Sequence, residues 1–255
     1  LIAADAIKGL LSISPAGETT VLADAFEGQP IRFADAVVVA DDGRIFFSDA
    51  STRFGPADWG GTFEASLLDF LEMSATGRVF EFNPDGRTLR RVAHGLAFAN
   101  GLALSADQQS LLVAETGRYR VWRIDADAQS LDLREASPKA QVLLDNLPGF
   151  PDNITFDGRD RYWVALANPR NAALDRLGPY PRLRKVVARL PPFLRPQPVR
   201  HGYVVALDLD GRVVDSLQYA GDDAYAPVTT VRQIGDWLYL GSLDQPAIAR
   251  VRLRP

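Results

Sequence analysis

The feature that most restricts the fold of this chain is an internal repeat. Its unit is a short apolar strand, a polar turn, and a second apolar strand ending near an acid or a small polar residue. One copy spans 36–40, turns at Asp41-Asp42-Gly43, and continues through 45–48 to Asp49. Further copies are 101–105 with 111–114 and Glu115, 154–156 with 162–165, and 228–234 with 237–240. Their turns carry Ala106-Asp107, Asp157-Gly158 and Gly235-Asp236, residue types that tolerate the backbone angles of a tight hairpin. A second hairpin of different composition follows the first: 79–82 with 88–92, 119–124 with 141–144, and 203–207 with 212–217. The pair 10–14 and 19–23 is one such second hairpin. Hairpin after hairpin at blade-sized intervals predicts an all-β fold, a β-propeller with four-stranded blades. A β-sandwich with irregular loops is the alternative.

The pattern predicts one propeller domain over 1–255, with a partial blade at 1–33, blades at 34–94, 95–147 and 148–220, and a partial blade at 221–255. These add up to about eighteen strands, whereas a closed ring of six four-stranded blades needs about twenty-four. The expectation is therefore a six-bladed type lacking about one N-terminal blade, or a five-bladed variant.

Composition then excludes whole classes of function. The net charge of −4 argues against a general nucleic-acid binder. The chain has no cysteine, which removes disulfides and thiolate metal sites, and its only histidines are His94 and His201. No apolar run approaches the ~20 residues needed to cross a bilayer, and the first residues read as a strand without the features of a signal peptide. The compartment is left open.

A propeller brings the residues just before each innermost strand to one mouth of the channel. Here these are Ala34-Asp35, Ala99-Asn100, Asp152-Asn153 and Thr229-Thr230. Amide and carboxylate oxygens at equivalent places suit a hard cation such as calcium, so Asp35, Asn100, Asp152 and Asn153 are candidate ligands. The competing reading is that Asn100 and Asn153 only shape turns. His94, close in sequence to Asn100, is either a general base at the mouth or a hydrogen-bonded structural histidine. Asp152 is the second candidate catalytic residue.

Two insertions fall on that same rim. The first, 63–73, reads as a short helix with Phe63, Leu67, Leu68, Phe70 and Leu71 as its apolar residues. The second, 168–200, contains Leu183, Val186, Val187 and Leu190 on one helical face, opposite Arg182, Lys185 and Arg189. Residues 181–190 can be a lid packed on the mouth or a basic amphipathic contact with a membrane surface, and the two are compatible.

Phe33-Ala34-Asp35, Phe98-Ala99-Asn100-Gly101, Glu115-Thr116 and Pro148-Gly149-Phe150-Pro151-Asp152-Asn153 carry a resemblance that covers nearly the whole chain. On these motifs the chain resembles the strictosidine synthase-like and adipocyte plasma membrane-associated protein family of six-bladed propellers, and more distantly paraoxonases and gluconolactonases. The resemblance implies a channel calcium ion held by a glutamate and several Asn or Asp residues. Asn100 and Asn153 match ligand asparagines and Asp152 a neighbouring acid, while Ala34 stands where another asparagine is expected and the glutamate would fall in the absent blade. Thr230 stands where strictosidine synthases place their catalytic glutamate, which argues against amine–aldehyde condensation. The expected function is hydrolysis of a small hydrophobic lactone or aryl ester through calcium. A non-catalytic propeller that binds a hydrophobic ligand or a protein is the rival.

Overall fold

The computed structural model describes residues 1–253 apart from 192, 193, 195 and 196. Successive hairpins build successive sheets, as the repeat requires. The first sheet holds β1 (Ile2–Asp5), β2 (Gly9–Ile13) and β3 (Thr19–Ala23), followed by a small ribbon of β4 (Ala25–Phe26) and β5 (Gln29–Pro30). The second is β6 (Ala34–Val39), β7 (Ile45–Asp49), β8 (Gly77–Asn83) and β9 (Thr88–Leu96). The third is β10 (Ala99–Leu104), β11 (Ser110–Glu115), β12 (Arg120–Asp125) and, beyond a short β13 (Leu131–Asp132), β14 (Ala140–Leu144). The fourth is β15 (Gly149–Phe156), β16 (Arg161–Pro169), β17 (Gly202–Asp208) and β18 (Val213–Tyr219). The fifth is β19 (Thr230–Ile234), β20 (Trp237–Gly241) and β21 (Ala249–Arg252).

The all-β propeller expected from the repeat is what forms. Among the described residues the blades number five and not six: three four-stranded antiparallel meanders flanked by two three-stranded sheets. β13 departs from the plain meander. It pairs in parallel with β9 of the preceding sheet, Leu131 opposite Ala93 and Asp132 opposite His94.

The core lies between blades. Because strand side chains alternate sides, Phe46 enters a cluster shared with the third sheet (Leu111, Val113), while Phe47 enters one shared with the first (Leu10). Likewise Val164 packs with Leu112 and Val121 towards the third sheet, and Trp163 with Val231 and Leu238 towards the fifth. Each such large side chain contributes about 1.5–3 kcal/mol on burial. The innermost strands β6, β10, β15 and β19 therefore stand side by side around the axis.

Both insertions lie on the rim where those strands begin. The first forms α1 (Pro56–Trp59) and α2 (Thr62–Glu72), and the second forms α3 (Ala172–Leu177) and α4 (Pro181–Ala188). α2 seats Ala65 and Leu68 against Phe33, Phe54 and Phe98, whereas Phe63, expected on its apolar face, is exposed. No helix among the described residues is long and apolar enough to cross a membrane.

Candidate functional site at the channel mouth

Three innermost strands break register at the same point. Pairing passes from Ala34–Asp49 to Val37–Phe47, from Ala99–Glu115 to Leu102–Val113, and from Pro151–Leu166 to Ile154–Val164. In each case two residues oppose one, which is a β-bulge, and bulges re-aim side chains. The bulged pairs are Asp35-Ala36, Asn100-Gly101 and Asp152-Asn153, so the axial candidates sit at structurally equivalent bulges.

The backbone groups freed by the bulges are satisfied locally. The Ala36 amide donates to Ser48 Oγ (3.0 Å), Thr116 Oγ1 donates to the Pro151 carbonyl (2.6 Å), and the Asn153 amide donates to the Thr229 carbonyl (3.1 Å). Gly101 is required here by space. A Cβ on it would lie 2.4 Å from the Asp152 carbonyl oxygen and 2.5 Å from Asn153 Cα, so only glycine lets β10 and β15 approach this closely.

Four of the five candidates come together. Asn153 Nδ2 donates to Asp152 Oδ1 (3.1 Å) and to the Thr229 carbonyl (3.0 Å), and the Asn100 side chain also hydrogen-bonds Asp152. Asn100 is buried, and its Oδ1 has no hydrogen-bond partner. Asp35 and Asp152 keep partial exposure along the channel while protein encloses their carboxyl groups. Burial, and secondarily the charge of Asp49, pushes Asp35 up to about 7. Burial and then the Asp35 carboxylate raise Asp152 well above the ordinary carboxylate range, against the hydrogen bonds from Asn100 and Asn153. Two acids that repel one another beside an orphaned amide oxygen make a donor set of oxygens alone, the chemistry that fits a hard cation. Among the described residues no group of three His, Cys, Asp or Glu side chains could hold a metal, so an ion here depends on the amide oxygens.

His94 does not join them. It lies on β9, the fourth strand of its blade, opposite Arg78 and Asp132. Burial and Arg91 lower its pKa, with Asp132 and Arg134 the other charges acting on it, and neither axial carboxylate among them. The six residues to Asn100 cross from the outer strand of one blade to the inner strand of the next, so closeness in sequence misplaces it. Ala34 and Thr230 offer no carboxylate or amide side chain, as their sequence positions foretell.

Two features of the mouth were not read from the sequence. Phe33, Phe98 and Phe150 each precede an axial residue, Asp35, Asn100 or Asp152, by two positions. They form a collar closed by Phe70 of α2: Phe33–Phe98 ring centroids are 5.2 Å apart, Phe70–Phe98 4.9 Å and Phe70–Phe150 5.4 Å. Phe98 holds a φ of +66°, rare for a bulky side chain, where it packs between Phe33 and Phe70. The second feature is a buried acid at the end of the second strand of two blades. Asp49 accepts from the Phe33 amide (2.9 Å) and from Arg78 Nη2 (2.6 Å), and Glu115 from the Ala97 amide (2.8 Å) and Trp122 Nε1 (2.7 Å). These acids tie down the segments that lead into Asp35 and Asn100. The repeat displayed both acids, and the Phe-x-Asp/Asn spacing was present in the sequence to be found.

A cavity of about 520 Å³ lies at the opposite rim of the third sheet, lined by Gln109, Arg123, Asp125 and Lys139, and holds none of the axial residues.

Fold and site together define an axial-site β-propeller, with a floor of oxygen donors, an aromatic collar and a helical cover. Residues 1–187 match the SMP-30/gluconolactonase/LRE-like region, and the chain belongs to that family. It is 34% identical over 255 residues to Protein strictosidine synthase-like 7 of Arabidopsis thaliana, covering 99% of this chain and 64% of the relative. Identity to the adipocyte plasma membrane-associated protein of Salmo salar is 31%, over 99% of this chain and 60% of that protein. The chain thus spans less than two thirds of the length of these relatives. In fold it is similar to a gluconolactonase from Xanthomonas campestris, with a TM-score of 0.64 at 19% identity over 99% of this chain and 68% of that one. It is also similar to regucalcin, a calcium-binding protein from Agrobacterium tumefaciens, with a TM-score of 0.59 at 16% identity over 96% and 65%.

Proposed function

We propose that this chain is a hydrolase of lactones or aryl esters that works with a calcium ion at the channel mouth. The observation that carries the reading is Asn100 Oδ1, buried and unpartnered on the same floor as two carboxyl groups. Asn100, Asn153 and Asp152 would hold the ion, with Asp35 facing them. When bound, calcium polarises the substrate carbonyl and stabilises the oxyanion that follows attack by water. Asn153 orients Asp152 through its Nδ2 contact, and the Thr229 carbonyl fixes Asn153 in turn. Asp35, lifted to about 7, is suited to accept a proton from the attacking water near neutral pH. The phenylalanine collar supplies an apolar wall for the acyl or aryl part of the substrate and limits the access of bulk water. Support from relatives is of the same kind: the family name includes gluconolactonase, and one solved neighbour is described as calcium-binding.

A second reading, a non-catalytic propeller that holds a hydrophobic ligand or partner, is favoured by Ala34 and Thr230, which leave the floor short of donors. A chromogenic aryl-ester and lactone assay separates the two. Wild type and Asn153→Ala are each measured with calcium and with chelator. Hydrolysis is expected to rise with calcium and to fall about ten- to hundred-fold in the variant. Equal rates in all four conditions remove the hydrolase and leave the binding module.

A further inference from the structure

We propose that α4, with Arg189 at its C-terminal end, forms a membrane-contact surface that seats the mouth-side rim on an anionic lipid bilayer. From Arg176 to Arg200 the chain carries seven Arg or Lys residues and no Asp or Glu, although its net charge is −4. The rest of the molecule is therefore strongly acidic, and this one segment is basic.

An amphipathic helix that served only as a lid would turn its apolar face inwards. Here Arg184 faces the body instead, its Nη1 donating to the Leu71 and Glu72 carbonyls at the C-terminal end of α2 (3.1 and 3.0 Å). Leu183 and Val186 point outwards, each more than half exposed, beside exposed Arg182, Lys185 and Arg189. Tyr180, Leu194 and Val199 of the same insertion are also more than half exposed. Val187 is half-buried, so the helix lies flat with its apolar edge partly free.

Exposed apolar side chains flanked by cations match the interface of a bilayer, where acyl chains take the former and acidic headgroups the latter. An acidic protein would use the cations but gives no reason for so many exposed apolar groups. Since α4 packs on α2, which covers the mouth, docking turns the channel towards the lipid.

The test is cosedimentation of the full chain with phosphatidylcholine vesicles, with and without phosphatidylserine, at low and high salt. Binding is expected only with phosphatidylserine and is expected to weaken with salt. Neutralising Arg182, Lys185 and Arg189 to Gln should weaken it about a hundred-fold, at roughly five-fold per charge. Leu183→Ser with Val186→Ser should weaken it about ten-fold. These positions are exposed, and far-UV circular dichroism checks that the variants fold. Absence of binding, equal binding to both vesicles, or indifference to the glutamine variant overturns the proposal. Loss with the glutamine variant but not with the serine variant also overturns it, and points to an acidic macromolecule.

Discussion

Replacing Asp35 by asparagine should stabilise the calcium-free protein at alkaline pH and leave it nearly unchanged in acid. Asparagine keeps the shape of the side chain and removes its charge. Burial and the nearby Asp49 raise the Asp35 carboxyl from 3.8 to about 7, so the folded state holds a proton that the unfolded chain releases. Below about pH 4 both states are protonated and Asp35 costs nothing. Between about pH 4 and pH 7 the cost grows, reaching about 4 kcal/mol once the folded form has also ionised. At two to four degrees per kcal/mol, that is about 10 °C in Tm for a chain of this size. Thermal unfolding followed by circular dichroism, with chelator present, should show wild type and Asp35→Asn nearly together near pH 3.5 and the variant higher at pH 8. Calcium should narrow the gap at pH 8, because a bound cation relieves the repulsion that the substitution removes. A Tm difference of the same size at both pH values would rule out the ionisation of Asp35 as its cause.

Two further outcomes follow from the supports of the site. Arg78→Leu strands the buried Asp49 carboxylate that it pairs with at 2.6 Å and should cost about 3–5 kcal/mol in denaturant unfolding, with Arg78→Leu/Asp49→Leu recovering much of the loss. Gly101→Ala puts a Cβ 2.4 Å from the Asp152 carbonyl oxygen, so it should lower Tm and abolish any calcium-dependent stabilisation; a variant with wild-type Tm and calcium response would show that β10 and β15 need not approach so closely.

The blades were legible because everything that specifies them is local. Continuous apolar runs at 45–47 and 162–165 mark strands buried on both sides, and Asp42-Gly43 or Asp157-Gly158 sets the turns, each within a few residues. The axial positions followed from the blade period. The Phe33, Phe98 and Phe150 collar did not, because two-residue spacing places side chains on one face of a regular strand, and the bulges that set the collar above the floor leave no mark in composition. His94 was misplaced because sequence distance says nothing of radius within a blade. Helical periodicity at 182–190 identified an apolar face but not which side meets the body. That choice rests on Arg184 reaching the carbonyl end of α2, a contact more than a hundred residues apart in the chain.

The three bulges carry a consequence for how such a scaffold diversifies. Because Asp35, Asn100, Asp152 and Asn153 lie where pairing is interrupted, the ladder within each blade does not run through them, and Ser48 and Thr116 satisfy interrupted backbone groups whatever stands on the axis. The floor is in effect a set of sockets whose occupants can be exchanged while the blades go on assembling. A chain that has lost one donor, or gained a different one, keeps its ring and alters only what the mouth can hold.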